Sequence, residues 1–195
     1  MNTSGPVTLF RTFGGALALL PLTLLPITPA TAEDAATNAK VERGRYLVTI
    51  SGCNDCHTPW TVGPNGPEPD MTRMLSGHPQ VHVMPVPPAL PAGPWAVLSA
   101  DTNTAFSGPW GISYTANLTP DRETGLGKWT FRNFKDTIRT GRHLGRGREI
   151  LPPMPYAMYK HMTDEDLEAV FTYLQSIPAI KNKVPDPVPV TVAQN

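Results

Sequence analysis

The chain has 195 residues, with 16 Lys and Arg against 16 Asp and Glu and a formal net charge of zero. That balance gives no case for nucleic acid or for an anionic membrane surface. Two cysteines cannot build a disulfide framework, and 23 prolines far exceed the average usage of about 5 %.

Residues 1–32 read as a secretory signal. Arg11 is the only charge there, an apolar run covers residues 13–27, and Ala30-Thr31-Ala32 supplies a small-x-small cleavage pattern. Pro21 and Pro26 interrupt the run, which disfavours a stable spanning helix. An uncleaved membrane anchor is the alternative. Cleavage leaves a chain starting at Glu33, with residues 33–180 as one domain and residues 181–195 as a proline-rich tail.

A first helix is predicted over residues 38–50, carrying Val41, Tyr46 and Val48. Gly44 in its middle is either a tolerated cost or a close crossing by another helix, in which case Tyr46 would meet Phe171, Tyr173 or Leu174.

Directly after it comes Cys53-Asn54-Asp55-Cys56-His57, which uses both cysteines of the chain. CxxCH is the attachment motif of c-type haem. Two thiols one turn apart add to the two vinyl groups, and the adjacent imidazole becomes the proximal iron ligand. Three other readings compete with it. A thioredoxin-type redox pair needs a strand–CxxC–helix setting, which is not visible around residue 53. A structural disulfide is awkward at this spacing and leaves His57 unexplained. Zinc wants a second ligand pair at suitable spacing. Haem c, one per chain, is the expected cofactor. Export agrees with it, since bacteria attach haem covalently outside the cytoplasmic membrane, and periplasmic localisation follows.

Ten prolines lie between Pro59 and Pro94. Residues 59–113 are therefore expected to be a long irregular Pro/Gly-rich insertion, covering the haem, forming a partner surface or packing on their own domain. A second helix is predicted from Thr130 as N-cap, through Phe131, Phe134 and Ile138, to Gly141. A third starts at Thr163, with Asp166 placed for a near capping box. It shows an apolar stripe of Leu167, Val170, Phe171, Leu174 and Ile177 and stops before Pro178. Without alternation for a sizeable sheet, the expected fold is mostly α with long loops. The tail reads as extended, polyproline-like chain, laid over the domain or free.

Seven methionines compete for the iron position opposite His57. Met154 stands out, because Pro152, Pro153 and Pro155 hold it in a stiff extended loop. Met84 is its rival, with His78, His82, His143 and His161 behind. A basic stretch from Lys128 to Arg148 offers partners for haem propionates or an acidic protein. Arg139 and Arg142 are the arginines singled out there, and neutralising either is expected to lower the haem potential or destabilise the fold.

These pieces, in order, resemble a class I cytochrome c: a helix with Gly44 and Tyr46, then Cys53–His57, a Pro-flanked Met154 and an amphipathic last helix. More narrowly, the chain is similar to the cytochrome c modules of bacterial periplasmic dehydrogenases. The shared segments are Tyr114-Thr115-Ala116-Asn117-Leu118-Thr119-Pro120-Asp121, Thr124-Gly125-Leu126-Gly127 with Trp129, Met154-Pro155-Tyr156 and Thr163-Asp164-Glu165-Asp166-Leu167. The resemblance implies a class I fold of helices around one covalent haem. It also implies Cys53 and Cys56 as thioether residues, His57 and Met154 as axial ligands, and Asn117 and Thr119 near the haem. Dehydrogenase subunits often string three such modules together, whereas this chain holds one motif.

Three functions follow as expectations. The first is a periplasmic one-electron carrier, with a dehydrogenase as donor and a respiratory-chain component as acceptor. The second is the cytochrome subunit of an alcohol- or aldehyde-type dehydrogenase complex, and the third a five-coordinate haem enzyme or gas sensor. The chain itself is expected not to be an enzyme. Redox proteins are the partners, nucleic acid is not, and membrane association through a partner or an uncleaved signal stays open.

Overall fold

Three helices of unequal length carry the core. In the computed structural model, whose described residues are 1, 2, 5, 32–88 and 93–189, they are α1 (Ala32–Ile50), α3 (Phe131–Thr140) and α5 (Asp164–Ser176). Two short helices, α2 (Cys53–His57) and α4 (Tyr156–Tyr159), precede the second and third of these. The expected signal segment lies almost wholly outside the described residues, as do residues 190–195 of the tail. Among the described residues no helix is long and apolar enough to cross a membrane.

α1 crosses α5 at Gly44, where the Tyr173 Cβ would stand 2.7 Å from a Cβ on the glycine. A side chain would hold the two backbones apart, so the glycine permits the crossing. Tyr46, expected at this crossing, is 51 % exposed, with the Arg43 guanidinium 5.5 Å from its ring centroid. Leu47 and Val48 face inward instead.

α3 opens on a full capping box. The Thr130 hydroxyl accepts the Asn133 amide at 3.2 Å, and the Asn133 carboxamide accepts the Thr130 amide at 3.1 Å. Its rings lie against α5, with Phe131 and Phe134 at 6.2 and 5.5 Å from Phe171. At the start of α5 the Thr163 hydroxyl accepts the Asp166 amide, but the Asp166 carboxylate turns to Arg43 of α1 at 2.9 and 3.3 Å. An ion pair between helices thus takes the place of the reciprocal half of the cap. Val48, Leu75, Phe134, Ile138, Leu167, Tyr173, Leu174 and Ile177 form the core, each fully buried leucine contributing roughly 1.5–3 kcal/mol.

Residues 59–113 are not irregular throughout. β1 (Trp60–Gly63) and β2 (Gly66–Pro69) form a hairpin with Trp60 opposite Pro69. β3 (Leu98–Ser99), β4 (Ala105–Gly108) and β5 (Gly111–Tyr114) form an antiparallel sheet in that order. Strands of two to four residues are too short for alternation to reveal them. Their pairing is set by turns and by contacts with the rest of the domain.

The tail is laid over the domain as far as it is described. Val188 exchanges both backbone hydrogen bonds with Ile112 of β5, at 2.8 and 2.9 Å. Asn182 is buried and its side chain holds three backbone groups: its Oδ1 accepts the Gln80 amide and its Nδ2 donates to the Ser76 and His78 carbonyls, while its own amide donates to Thr124 Oγ1.

Candidate functional site

α1 ends at Ile50, and two residues later the chain re-enters helix for one turn, α2. The 53–57 spacing puts Cys53, Cys56 and His57 on the wall of one cavity of about 620 Å³. Leu47 and Val48 of α1, Phe134 and Ile138 of α3, and Leu167 and Leu174 of α5 supply its apolar lining. Lys183 to Pro187 of the tail form part of the same wall.

The His57 ring has one defined partner: Nδ1 lies 2.8 Å from the Ala116 carbonyl oxygen. A carbonyl only accepts, so Nδ1 carries the proton and the Nε2 lone pair is left for a ligand. Burial pushes the His57 pKa below the usual imidazole value, partly opposed by that hydrogen bond. The ring is neutral at pH 7, the form that binds a metal.

Burial also pushes the Cys53 thiol up to about 11 and raises the Cys56 thiol. A thioredoxin-type pair needs the opposite, a thiolate stabilised near neutrality. The two cysteines are free thiols, and among the described residues no group of three or more His, Cys, Asp or Glu is placed to hold a metal ion. The disulfide and zinc readings find no support in this geometry.

Met154 lines the same cavity and packs against the core. Its loop is tied down on both sides. The Ser113 hydroxyl donates to the Pro152 carbonyl at 2.6 Å, and the Tyr159 hydroxyl donates to the Ser51 carbonyl at 2.6 Å, next to the start of α2. Sequence reasoning missed both anchors, and neither serine nor tyrosine carries a motif that would have found them. Met84 does not line the cavity, nor do His78, His82 and His161. His78 is buried, with both ring nitrogens engaged by Thr104 Oγ1 and the His82 carbonyl. His143 does line it, edge-on to Trp129 at 5.3 Å, and burial lowers its pKa.

Asn117 lines the cavity, but its carboxamide is occupied. Nδ2 donates to the Ile180 carbonyl at 2.8 Å, and Oδ1 accepts from the Thr119 hydroxyl at 2.7 Å. Thr119 does not line the cavity. It is wholly buried, and its hydroxyl accepts the Ile180 amide at 3.1 Å. Both residues secure the chain that follows α5.

The basic stretch divides in two. Arg139 bonds the Asp164 carboxylate and the Lys160 carbonyl, and Arg142 bonds Glu149 at 2.8 Å. Arg148 is the arginine of this stretch that lines the cavity.

No protein-family model matches the chain. A subunit of the nicotinate dehydrogenase of Pseudomonas putida is 30 % identical over 180 residues, covering 89 % of this chain and 12 % of that protein. The gluconate 2-dehydrogenase cytochrome c subunit of Pantoea cypripedii is 28 % identical, covering 74 % of this chain and 24 % of its own length. The fructose dehydrogenase cytochrome subunit of Gluconobacter japonicus is 27 % identical, covering 82 % and 26 %. The chain therefore spans about a quarter or less of the length of these relatives. With the Cys53–His57 motif, this likeness makes the chain a relative of the cytochrome c subunits of bacterial dehydrogenases, as its sequence led us to expect.

Proposed function

We propose that this chain is the electron-transfer cytochrome c component of a periplasmic dehydrogenase system. It holds one haem c through Cys53 and Cys56, with His57 and Met154 as axial ligands, in a class I cytochrome c arrangement. The observation that carries this is the convergence of all four side chains on one largely apolar cavity.

The residues present fit the group: two protonated thiols, a neutral imidazole with a free Nε2, a thioether, and apolar walls. When bound, the haem supplies one-electron iron chemistry. The protein's part is to hold, aim and shield. Ala116 fixes the His57 tautomer and ring direction. The Ser113 and Tyr159 anchors hold the Met154 loop, whose soft sulfur favours the reduced metal. Apolar side chains of α1, α3 and α5 exclude water, which further raises the potential. Arg148 and Lys183 offer positive charge to acidic groups at the cavity.

The relatives favour the subunit reading over the freely diffusing carrier placed first on sequence grounds, because those named as cytochromes are subunits of dehydrogenases. They do not favour an alcohol substrate over gluconate or fructose. Export to the periplasm rests on the composition of residues 1–32.

The test is the visible spectrum of the exported protein, air-oxidised and then dithionite-reduced, beside Met154→Ala. A sharp reduced α-band and a weak far-red sulfur-to-iron(III) band that vanishes in the variant are expected. Covalent haem without that band in the wild type would overturn Met154. No covalent haem in a host able to attach it would overturn the whole reading. Co-purification with a dehydrogenase at high salt separates subunit from free carrier.

A further inference from the structure

Electron transfer as such does not account for the long segment between the attachment turn and β5, and its contacts point to a role. A five-residue helix cannot hold itself, because its last carbonyls have no partner within the helix. Here the segment beyond the helix supplies them. The Asp55 carbonyl accepts Trp60 Nε1–H and Asn103 Nδ2–H, each at 2.8 Å. The His57 carbonyl accepts the Gly77 amide at 2.8 Å. Thr58, wholly buried directly after the histidine, donates its hydroxyl to Asn54 Oδ1 and accepts the Leu75 amide, both at 2.9 Å.

Leu75 is itself unusual. It is wholly buried with φ of 59°, and its carbonyl accepts the Leu118 amide at 2.8 Å. A leucine in that region is strained and persists only where its surroundings over-determine it. Gly77 has φ of 76°, and a Cβ there would stand 2.5 Å from the Thr115 carbonyl oxygen. The neighbouring His78 amide donates to that same oxygen at 3.0 Å. One residue further, Ala116 receives the His57 ring. Ring and carbonyl of His57 are thus gripped by two stretches of chain that are bonded to each other.

We infer that residues 58–78 together with Asn103 form a clamp that sets the geometry of the attachment turn, and that Thr58, Trp60 and Asn103 are positioning residues for His57. The inference rests on the haem reading of the cavity. It gives the segment a structural task beside the partner surface considered on sequence grounds.

The test uses the exported full chain with its haem. Thr58→Val removes the hydroxyl at nearly constant shape and strands the Leu75 amide, whereas Thr58→Ser keeps the hydroxyl. Trp60→Phe combined with Asn103→Asp removes both donors to Asp55. The readouts are the fraction of chains carrying covalent haem by intact mass, the EPR g-values of the ferric form, the midpoint potential and the melting temperature. Thr58→Val and the double variant each remove two hydrogen bonds, and are expected to lower the haem-loaded fraction at least about fivefold, the effect of one such bond alone, and to shift g-values and potential. Thr58→Ser restores both. Thr163→Ala, a lost helix cap away from the clamp, lowers melting temperature with unchanged g-values. Wild-type loading, g-values and potential in both Thr58→Val and the double variant would overturn the clamp even if their melting temperatures fall. Should Thr58→Val not accumulate, the double variant decides by the same readouts. A wild type without covalent haem would overturn the haem reading first, and the clamp with it.

Discussion

Gly44 of α1 and Ala169 of α5 meet backbone to backbone: a Cβ built on Gly44 would overlap the Ala169 carbonyl oxygen. This contact sets how closely the two helices approach, and they carry the cavity walls Leu47, Val48, Leu167 and Leu174.

Gly44→Ala therefore tests the crossing by its sign. In an unobstructed helix the change stabilises by about 0.5–1 kcal/mol. Here the methyl group has no room, and the expected result is a loss of about 1–3 kcal/mol. That corresponds to a melting temperature lower by about 2–10 °C in a thermal scan. A rise would mean that the helices yield freely.

Asn182→Ala removes the lock on the tail. The Ser76 and His78 carbonyls and the Gln80 amide lose their partner, and the first two lie on buried residues. A loss of about 2–4 kcal/mol in denaturant unfolding is expected. Amides of residues 183–188 should then exchange faster with solvent, while those of α3 keep their protection. Equal loosening of both would show that Asn182 supports the domain at large rather than the tail.

Arg139→Gln and Arg148→Gln should separate stability from potential. Arg139 is spent on Asp164 and the Lys160 carbonyl, so its loss lowers melting temperature and leaves the midpoint potential unchanged. Arg148 lines the cavity, and removing its positive charge should lower the potential, because a nearby cation disfavours the ferric state. Redox titration of both variants checks this. A lowered potential in Arg139→Gln with none in Arg148→Gln would reverse the assignment.

Asp164 sets an acid limb of stability. Hydrogen bonds from Arg139 first and Lys135 second hold its carboxyl below the usual carboxylate range. A lowered folded-state pKa contributes stability above the unfolded value of about 3.9, lost as pH falls through the folded value. The wild type should lose melting temperature below about pH 4 more steeply than Asp164→Asn, and the two curves should converge at the acid end. Melting curves between pH 2 and 7 at low salt, where screening of this exposed carboxylate is least, would show it. Parallel curves would mean that the pair contributes nothing.

Much of the local structure was legible before any fold was known. Thr130 and Thr163 mark helix starts because an N-cap hydroxyl answers an amide two or three residues away, a short-range demand. The capping box at Asn133 and the turn of Asp166 toward Arg43 were not legible. The first uses a carboxamide outside the usual Glu or Gln pattern, and the second depends on which helix lies alongside. The small sheets in residues 59–113 escaped because their strands are short and proline masks their pattern.

The sequence by itself determined the chemistry: a CxxCH run whose thiols and imidazole are bound to one turn by covalent spacing, and a methionine stiffened by its proline neighbours. Tertiary structure alone decided which of the competing side chains share a cavity and which way they face. Met154 lines it and Met84 does not; His143 lines it and His78 is sealed in the domain. These outcomes hang on bonds such as Tyr159 to Ser51 and Asn182 to Ser76, between residues 108 and 106 positions apart. No local pattern encodes such pairings, because each is satisfied only when the whole chain has closed around the same core.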